Sequence, residues 1–239
     1  GTYVPESSFL KEVCPAAKSL TIRFVRTCMS VSPFPDPSVK SEPTRWEYGV
    51  SLCLLDKIPM EGRMIDGRVG YFTNKVRNYD NAVYDKGECE FISRWKLVPH
   101  REQLEAYLGG DLVEPIKPIV FYIDKQIPTW LYPYVKRAVE AWQPAFERAG
   151  FKNAILARPE PTYAEDSVFS VDNARYAYIS YKTSPLKNAY GPSSVDPRSG
   201  EILCSHIGIF NSISDLVQEL YFCQAGAVDS LARRIVLPD

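Results

Sequence analysis

The sequence predicts an α+β protein in which a β-rich N-terminal region is followed by a twisted mixed sheet with one long crossing helix. Residues 20–26 alternate apolar and other side chains, which is typical of a half-buried strand. Residues 119–123 form a nearly continuous apolar run, which is typical of a strand buried on both faces. Residues 130–149 carry one apolar stripe at three- and four-residue steps, which indicates an amphipathic helix.

The composition is that of a globular protein, and it argues against some classes of partner. The chain has 239 residues, of which 45% are hydrophobic and 24% charged, and its formal net charge is −1. So small a charge gives no long-range field to attract nucleic acid, and we expect no nucleic-acid partner. No apolar run approaches the roughly 20 residues of a membrane-spanning helix. The chain begins with glycine, so we expect a processed or engineered piece that has lost any export signal upstream.

The N-terminal region, residues 1–114, is predicted to be rich in strands. Residues 1–18 show little periodicity and are predicted to form a flexible arm. Residues 20–26 and 46–55 are predicted to pair as a hairpin across a proline-rich loop at 32–43. Further elements are predicted in this order: a turn and short strand at 62–73, a strand at 90–97 and one or two helical turns at 101–108.

The second region, residues 115–239, starts after a linker whose prolines favour an extended chain. In its helix, Pro133 falls in the first turn, whereas Pro144 lies in the interior and is predicted to kink it. Ser212 is predicted to cap a last helix, which starts near Asp215. The remaining predictions are strands at 154–157 and 174–181, an edge strand at 188–195, a turn at 196–200 and a returning strand at 201–210.

The six cysteines are spread along the chain without a C-x-x-C pair, so neither a zinc ribbon nor a redox motif is predicted. Two interpretations stay open. The cysteines are buried free thiols, or one or two disulfides form in an exported protein, with Cys14–Cys28 as the first candidate.

The residues alone predict no catalytic group and no metal ligand. The two histidines, His100 and His206, lie in a predicted loop and a predicted strand, without the H-E-x-x-H pattern of a zinc helix. No G-x-S-x-G elbow, phosphate loop or dinucleotide fingerprint is present. Asp124, Asp172 and Asp196 all fall at predicted strand ends or turns, where a carboxylate most often stabilises the turn.

Several stretches together resemble one protein family, the large exported bacterial zinc-dependent metallopeptidases with a metzincin-like catalytic domain. The stretches are 68–73, 92–97, 117–124, 141–155 and 191–203. The resemblance implies a metzincin-like N-terminal half in residues 115–239. It implies that the zinc ligands and the general-base glutamate follow a segment like 227–239, so we expect zinc only in the full-length protein. It also implies export to the periplasm, the outer membrane or the extracellular space.

The resemblance implies one site in this chain, a substrate-binding edge strand. In the family this strand binds the substrate backbone by strand addition. The matching residues here are Tyr190, Gly191, Pro192, Ser193, Ser194 and Val195. Pro192 has no N–H and is predicted to weaken this site by removing one donor.

The resemblance therefore implies two partners: a peptide or protein substrate, and the missing C-terminal half of the catalytic domain. This chain would be inactive alone. Two alternatives stay open: a non-catalytic peptide-binding module and a structural module of an exported bacterial protein. An exposed apolar surface, on which the missing half would pack, would favour the first interpretation over a structural module.

Overall fold

The computed structural model describes residues 2–29, 42–77 and 87–234. Short 3-10 helices lie at Pro5–Ser7, Arg101–Gln103 and Ala232–Arg234. The other elements described are, in chain order, β1 (Thr2–Tyr3), β2 (Phe9–Ala16), β3 (Ser19–Met29), β4 (Pro43–Cys53), β5 (Thr73–Arg77), β6 (Glu88–Ile92), α1 (Leu104–Leu108), β7 (Ile119–Ile123), α2 (Tyr132–Glu140), α3 (Gln143–Arg148), β8 (Ile155–Pro159), β9 (Ala177–Lys182), β10 (Ala189–Tyr190), β11 (Ser193–Asp196), β12 (Glu201–Phe210) and α4 (Ile213–Ala225).

The predicted α+β class is confirmed, and its larger sheet is mixed. The strand order in this sheet is β10-β12-β9-β7-β8, and β11 also pairs with β12. Strands β8, β7, β9 and β12 run parallel to one another, whereas β10 and β11 are antiparallel to β12. The returning strand β12 therefore lies inside the sheet, and the two short strands form its edge.

The prediction of one long crossing helix is wrong, because two helices occupy that stretch. The first ends at Glu140 and the second begins at Gln143. Pro144 lies in the first turn of α3, where its missing N–H leaves no helical bond unmade. The predicted kink is therefore a complete break, bridged by a bond of 3.3 Å from the Trp142 N–H to the Val139 carbonyl.

The main core lies between the larger sheet and α2. Ile119, Phe121 and Ile123 of β7 are all buried, and they pack with Val135 and Val139 of α2. The helix contacts β7 and β8. On β12, by contrast, Ile207 and Ile209 pack against the core but stay only partly buried.

The chain divides into two compact units. One contains Gly1–Lys57 with Ser167–Arg175, and the other contains Ile58–Asp166 with Tyr176–Asp239. Compactness does not establish independent folding, so the predicted domain division after residue 114 stays a prediction. No helix in the described parts of the chain is long and apolar enough to cross a membrane.

The first unit is a four-stranded antiparallel sheet with β3 in its centre. Strands β2 and β4 flank β3 along its length, and β1 pairs with its end. The prediction of a flexible arm at residues 1–18 is wrong. Most of that stretch forms β1, a 3-10 turn and β2, and both strands pair with the long strand β3. Most of the loop predicted at 32–43 falls in residues 30–41, which lie outside the described residues.

None of the six cysteines forms a disulfide, and the prediction of buried thiols holds for Cys204 alone, because Cys223 is exposed and the other four are half-buried. The alternative Cys14–Cys28 disulfide is excluded by register, because Cys14 lies opposite Thr21 of β3 whereas Cys28 is itself on β3. At ~3.4 Å per residue the two positions are roughly 24 Å apart along the strand, far beyond the ~7 Å limit between the Cα atoms of a disulfide.

Candidate functional site

All six predicted site residues lie on the antiparallel edge of the larger sheet. Tyr190 ends β10, Gly191 and Pro192 form a short interruption, and Ser193 begins β11. Both short strands pair with β12, so together they form one irregular edge strand. A register shift between Ser194 and Val195 ends its regular part.

The register decides which backbone groups of this strand are available. The Phe210 N–H donates to the Asn188 carbonyl at 3.3 Å, and the His206 N–H donates to the Pro192 carbonyl at 3.1 Å. In an antiparallel pair, every second residue points its N–H and C=O toward the partner strand. Residues 188, 190, 192 and 194 therefore bond inward to β12, and residues 189, 191 and 193 point their groups outward.

This register contradicts the predicted effect of Pro192. Its missing N–H would have pointed toward β12, on the same side as its bonded carbonyl. The proline therefore weakens the internal ladder and removes nothing from the outer edge. The outward donors belong to its two neighbours, Gly191 and Ser193.

Two adjacent outward residues form the open part of this edge. The Ala189 N–H is occupied, because it donates to Asn188 Oδ1 at 2.8 Å. The outward N–H and C=O groups of Gly191 and Ser193 make no hydrogen bond to any residue that the structure describes, and both residues are exposed. Residues two apart in a strand repeat the spacing of a β-ladder, so an extended chain can pair there.

Tyr190 is fixed on one face of the sheet beside this edge. Its ring covers Gly208 of β12, where an added Cβ would lie 2.5 Å from the ring. Lys182 Nζ donates to the tyrosine hydroxyl at 2.6 Å, and the Phe210 ring lies 5.8 Å away, centroid to centroid. These neighbours place Tyr190 on the face opposite to Ile207 and Ile209, which pack toward the core.

A buried turn holds the other end of the edge strand. Asp196 is 2% exposed, and its carboxylate accepts bonds from the Arg198 backbone N–H at 2.9 Å and from Arg198 Nη2 at 2.7 Å. The adjacent guanidinium holds the pKa of Asp196 below its usual value. Gly200 has a φ of +74°, and an added Cβ would lie 2.3 Å from the Ile92 carbonyl oxygen, so only glycine fits.

The remaining chemical candidates have structural partners. His206 Nε2 lies 3.1 Å from the Tyr176 carbonyl oxygen. Asp124 accepts bonds from the Gln126 and Tyr181 N–H groups, as expected of a turn residue. Asp172 is paired with Arg23 within the first unit. In the described ranges, no group of three or more His, Cys, Asp or Glu side chains could hold a metal ion.

The sequence reasoning missed the arrangement of Tyr190, Gly208 and Lys182. A glycine inside a predicted strand is a known sign that another group approaches the backbone closely, and Gly208 lies inside the predicted returning strand. The approaching group could not be named, because the antiparallel register sets which side chain lies opposite the glycine.

Comparison with known proteins gives one match. Residues 1–100 match the family described as "Domain of unknown function (DUF5117)". This match covers less than half of the chain and ends before the edge strand. No curated protein matches the chain. No solved structure matches it either.

Proposed function

We propose that this chain supplies the sheet-bearing part of the catalytic domain of an exported zinc-dependent metallopeptidase, and that its edge strand binds the substrate backbone. The observation that carries the proposal is the pair of outward, unbonded residues Gly191 and Ser193 on the antiparallel edge strand. A peptide in extended conformation would add one more strand there, with main-chain bonds supplying affinity.

The order of elements in the larger sheet supports this proposal. A buried strand is followed by two helices in place of the one long helix that was expected, and then by strand, strand, edge strand, turn and returning strand, which is the order that the family resemblance implies. The tight turn at Asp196 and Gly200 returns the chain so that β12 pairs with the edge strand on one side and with β9 on the other. The outer side of the edge is thereby left for a ligand.

Uncovered apolar surface supports the second partner, the remaining half of a catalytic domain. No residue of α4 is buried, and three of its large apolar side chains are exposed: Val217, Leu220 and Phe222. On the core face of β12, Ile207 and Ile209 are also only partly buried. Exposed apolar side chains that cluster on one element often mark a contact with another protein surface.

The residues that the structure describes do not fit a zinc site. This described part of the chain offers no cluster of three donors, and the sequence has no H-E-x-x-H. We therefore assign no catalytic step to this chain. In the proposal, the zinc ligands are supplied by a different segment of a longer protein, and this chain positions the substrate.

A second candidate function is a peptide-binding module that performs no catalysis. It is favoured by the same free edge together with the lack of a metal-donor cluster in the described ranges. The two candidates share the binding site and differ in what the longer protein contains. Zinc-dependent proteolysis by a longer chain from the same gene would separate them.

The binding site is tested by NMR titration of the 15N-labelled chain with a tryptic digest of casein as the peptide mixture. We expect the amide signals of Gly191 and Ser193 to shift, and those of the inward-bonded Ser194 to shift less. The Ser193→Pro variant lacks one outward donor and should bind at least about twofold more weakly, since a net hydrogen bond contributes ~0.5–1.5 kcal/mol. Ser193→Ala keeps the N–H and serves as the matched control.

Two results would contradict the proposal. If Ser193→Pro binds the peptides as well as Ser193→Ala does, the edge strand is not the binding site. If the chain alone cleaves casein with zinc and a chelator stops the cleavage, then this chain contains the catalytic site, and the assignment of a purely substrate-positioning role is wrong.

A further inference from the structure

The sheet of the first unit carries a continuous apolar face across three strands. Residues paired across strands have side chains on the same face. The register places Leu10 opposite Phe24 and Phe24 opposite Tyr48, and Val13 opposite Ile22 and Ile22 opposite Val50. A bulge after Leu10 adds one residue to β2, which keeps Leu10 and Val13 on this same face.

The opposite, more polar face of this sheet is the buried one. Thr21 and Thr27 of β3 are 3% and 2% exposed. Residues 167–175 of the same unit cover part of this side, where Asp172 pairs with Arg23 and Asn173 Oδ1 accepts a bond from Ser19 Oγ at 3.0 Å. At its other end the Thr27 hydroxyl donates to the Ser7 carbonyl at 2.8 Å. A sheet with one solvated face normally exposes its polar side. Here the polar side is satisfied internally and the apolar side faces solvent.

The exposed apolar area is that of a protein interface. Six large side chains on this face are between 42% and 62% exposed: Leu10, Val13, Trp46, Tyr48, Val50 and Leu52. At about 150–250 Å² for a large apolar side chain, they expose on the order of 600 Å². Two such faces packed together would bury on the order of 1,200 Å², the lower end of the range for specific interfaces.

The surroundings of the face also match an interface. Its centre holds a stacked aromatic pair, Phe24 and Tyr48, with ring centroids 5.6 Å apart. Charged groups lie at its ends: Arg26, which is paired with Trp46 on this face, lies over the Tyr3 ring at 5.1 Å, and Lys18 beside the turn before β3 pairs with Asp56 at 3.1 Å. An apolar centre inside a polar rim is the usual anatomy of a binding surface.

We propose that this face is the contact between two copies of the chain, packed sheet on sheet as a two-fold dimer. A two-fold contact brings the same surface from both copies together, so each apolar face covers the other completely. Two antiparallel sheets pack in this way about 10 Å apart. The net charge of −1 opposes the approach of two copies only weakly.

Sedimentation velocity of the whole chain tests this proposal, since the monomer mass is 27.1 kDa. We expect twice that mass at about 50 µM, a concentration at which a dimer of micromolar affinity is formed. Tyr48→Glu and Val50→Lys place a charge in the centre of the face, and each should weaken dimerisation at least about 100-fold. Both side chains are exposed, so circular dichroism spectra and thermal midpoints should stay close to those of the wild type.

Val217→Glu on α4 is the matched control, because it places the same charge on the apolar surface near the C-terminus. It should leave the dimer intact. A wild-type chain that is monomeric at this concentration overturns the proposal. So does a dimer that persists in the folded Tyr48→Glu and Val50→Lys variants, or one that only Val217→Glu dissociates.

Discussion

At the scale of single residues, Asp196 holds the turn that returns the chain into the sheet. Its buried carboxylate accepts bonds from the backbone and the guanidinium of Arg198. These bonds stabilise the charged form, which lowers the pKa in the folded state. A lowered pKa means that the stabilisation is fully present above the ordinary carboxyl pKa of about 3.9 and is lost as the pH falls through the lowered value.

We therefore expect Asp196→Asn to reduce the free energy of unfolding at about pH 7 by about 1–2 kcal/mol. The lower part of the range for charged hydrogen bonds applies, because Arg198 is 39% exposed and solvent screens the pair. The difference between wild type and variant should shrink as the pH falls below about 4, because the wild-type carboxyl becomes protonated. Urea denaturation across this pH range measures both effects.

Asp66→Asn is the matched control for this prediction. Asp66 and Arg68 form the same Asp-x-Arg arrangement, with Nη2 to Oδ2 at 2.6 Å, but at an exposed position. The control should therefore change stability less than Asp196→Asn does. An equal loss in the two variants, or a loss in Asp196→Asn that is undiminished in acid, would show that the buried turn does not depend on the charged carboxylate.

At the scale of elements, α4 differs from the strands that precede it. β12 is held by pairs on both sides, whereas α4 has no buried residue. A helix of 13 residues is marginal without tertiary packing, because nucleation is unfavourable and little surface is removed from water. In the isolated chain, α4 therefore has little tertiary support.

We expect the amides of α4 to exchange with deuterium at least about tenfold faster than those of β9 and β12, because local opening there breaks few contacts. Hydrogen exchange followed by mass spectrometry resolves these segments. The second half of a catalytic domain, if it packs on α4 as proposed, should raise this protection when it is present in a longer chain. Equal protection of α4 and β12 in the isolated chain would contradict this account.

At the scale of the whole molecule, the chain offers surfaces for binding but no metal-donor cluster within the parts described. A ligand that binds only the folded state raises the thermal midpoint by an amount that grows with the logarithm of its concentration relative to its Kd. We therefore expect zinc in small excess, or a chelator, to change the thermal midpoint of this chain by less than about 1 °C. Differential scanning fluorimetry measures this, with His206→Gln as the control for incidental histidine binding. A zinc-dependent rise of several degrees in the wild type alone would contradict it.

How much of the fold was predictable depended on how local each signal is. The apolar run of β7 and the residues of β12 were predicted with the bounds that the structure has. The first strands were missed, because β1 and β2 are ordered mainly by pairing with β3 and carry little periodicity of their own. At α4, Ser212 precedes the helix as predicted, but its hydroxyl donates to the Ser184 carbonyl and does not cap the helix.

The edge strand also combines a feature that was predictable with one that was not. Its place in the chain was predicted from a family resemblance, and the structure finds those residues on a sheet edge. Which of its amides face outward was not predictable, because that depends on a register with β12 that one residue of slippage would reverse. The effect of Pro192 was accordingly assigned to the wrong side of the strand.

The sequence by itself determined where the strongly patterned elements lie, since apolar periodicity and turn residues act over a few positions. Only the tertiary structure decided which face of each element is buried. In β3 the alternation was clear, yet the buried side became the one with Thr21 and Thr27, because residues 167–175 bond to Ser19 and Arg23 on that side and Ser7 accepts a bond from Thr27. Burial depends on what packs against a face, and part of this cover lies more than 140 positions away in the sequence.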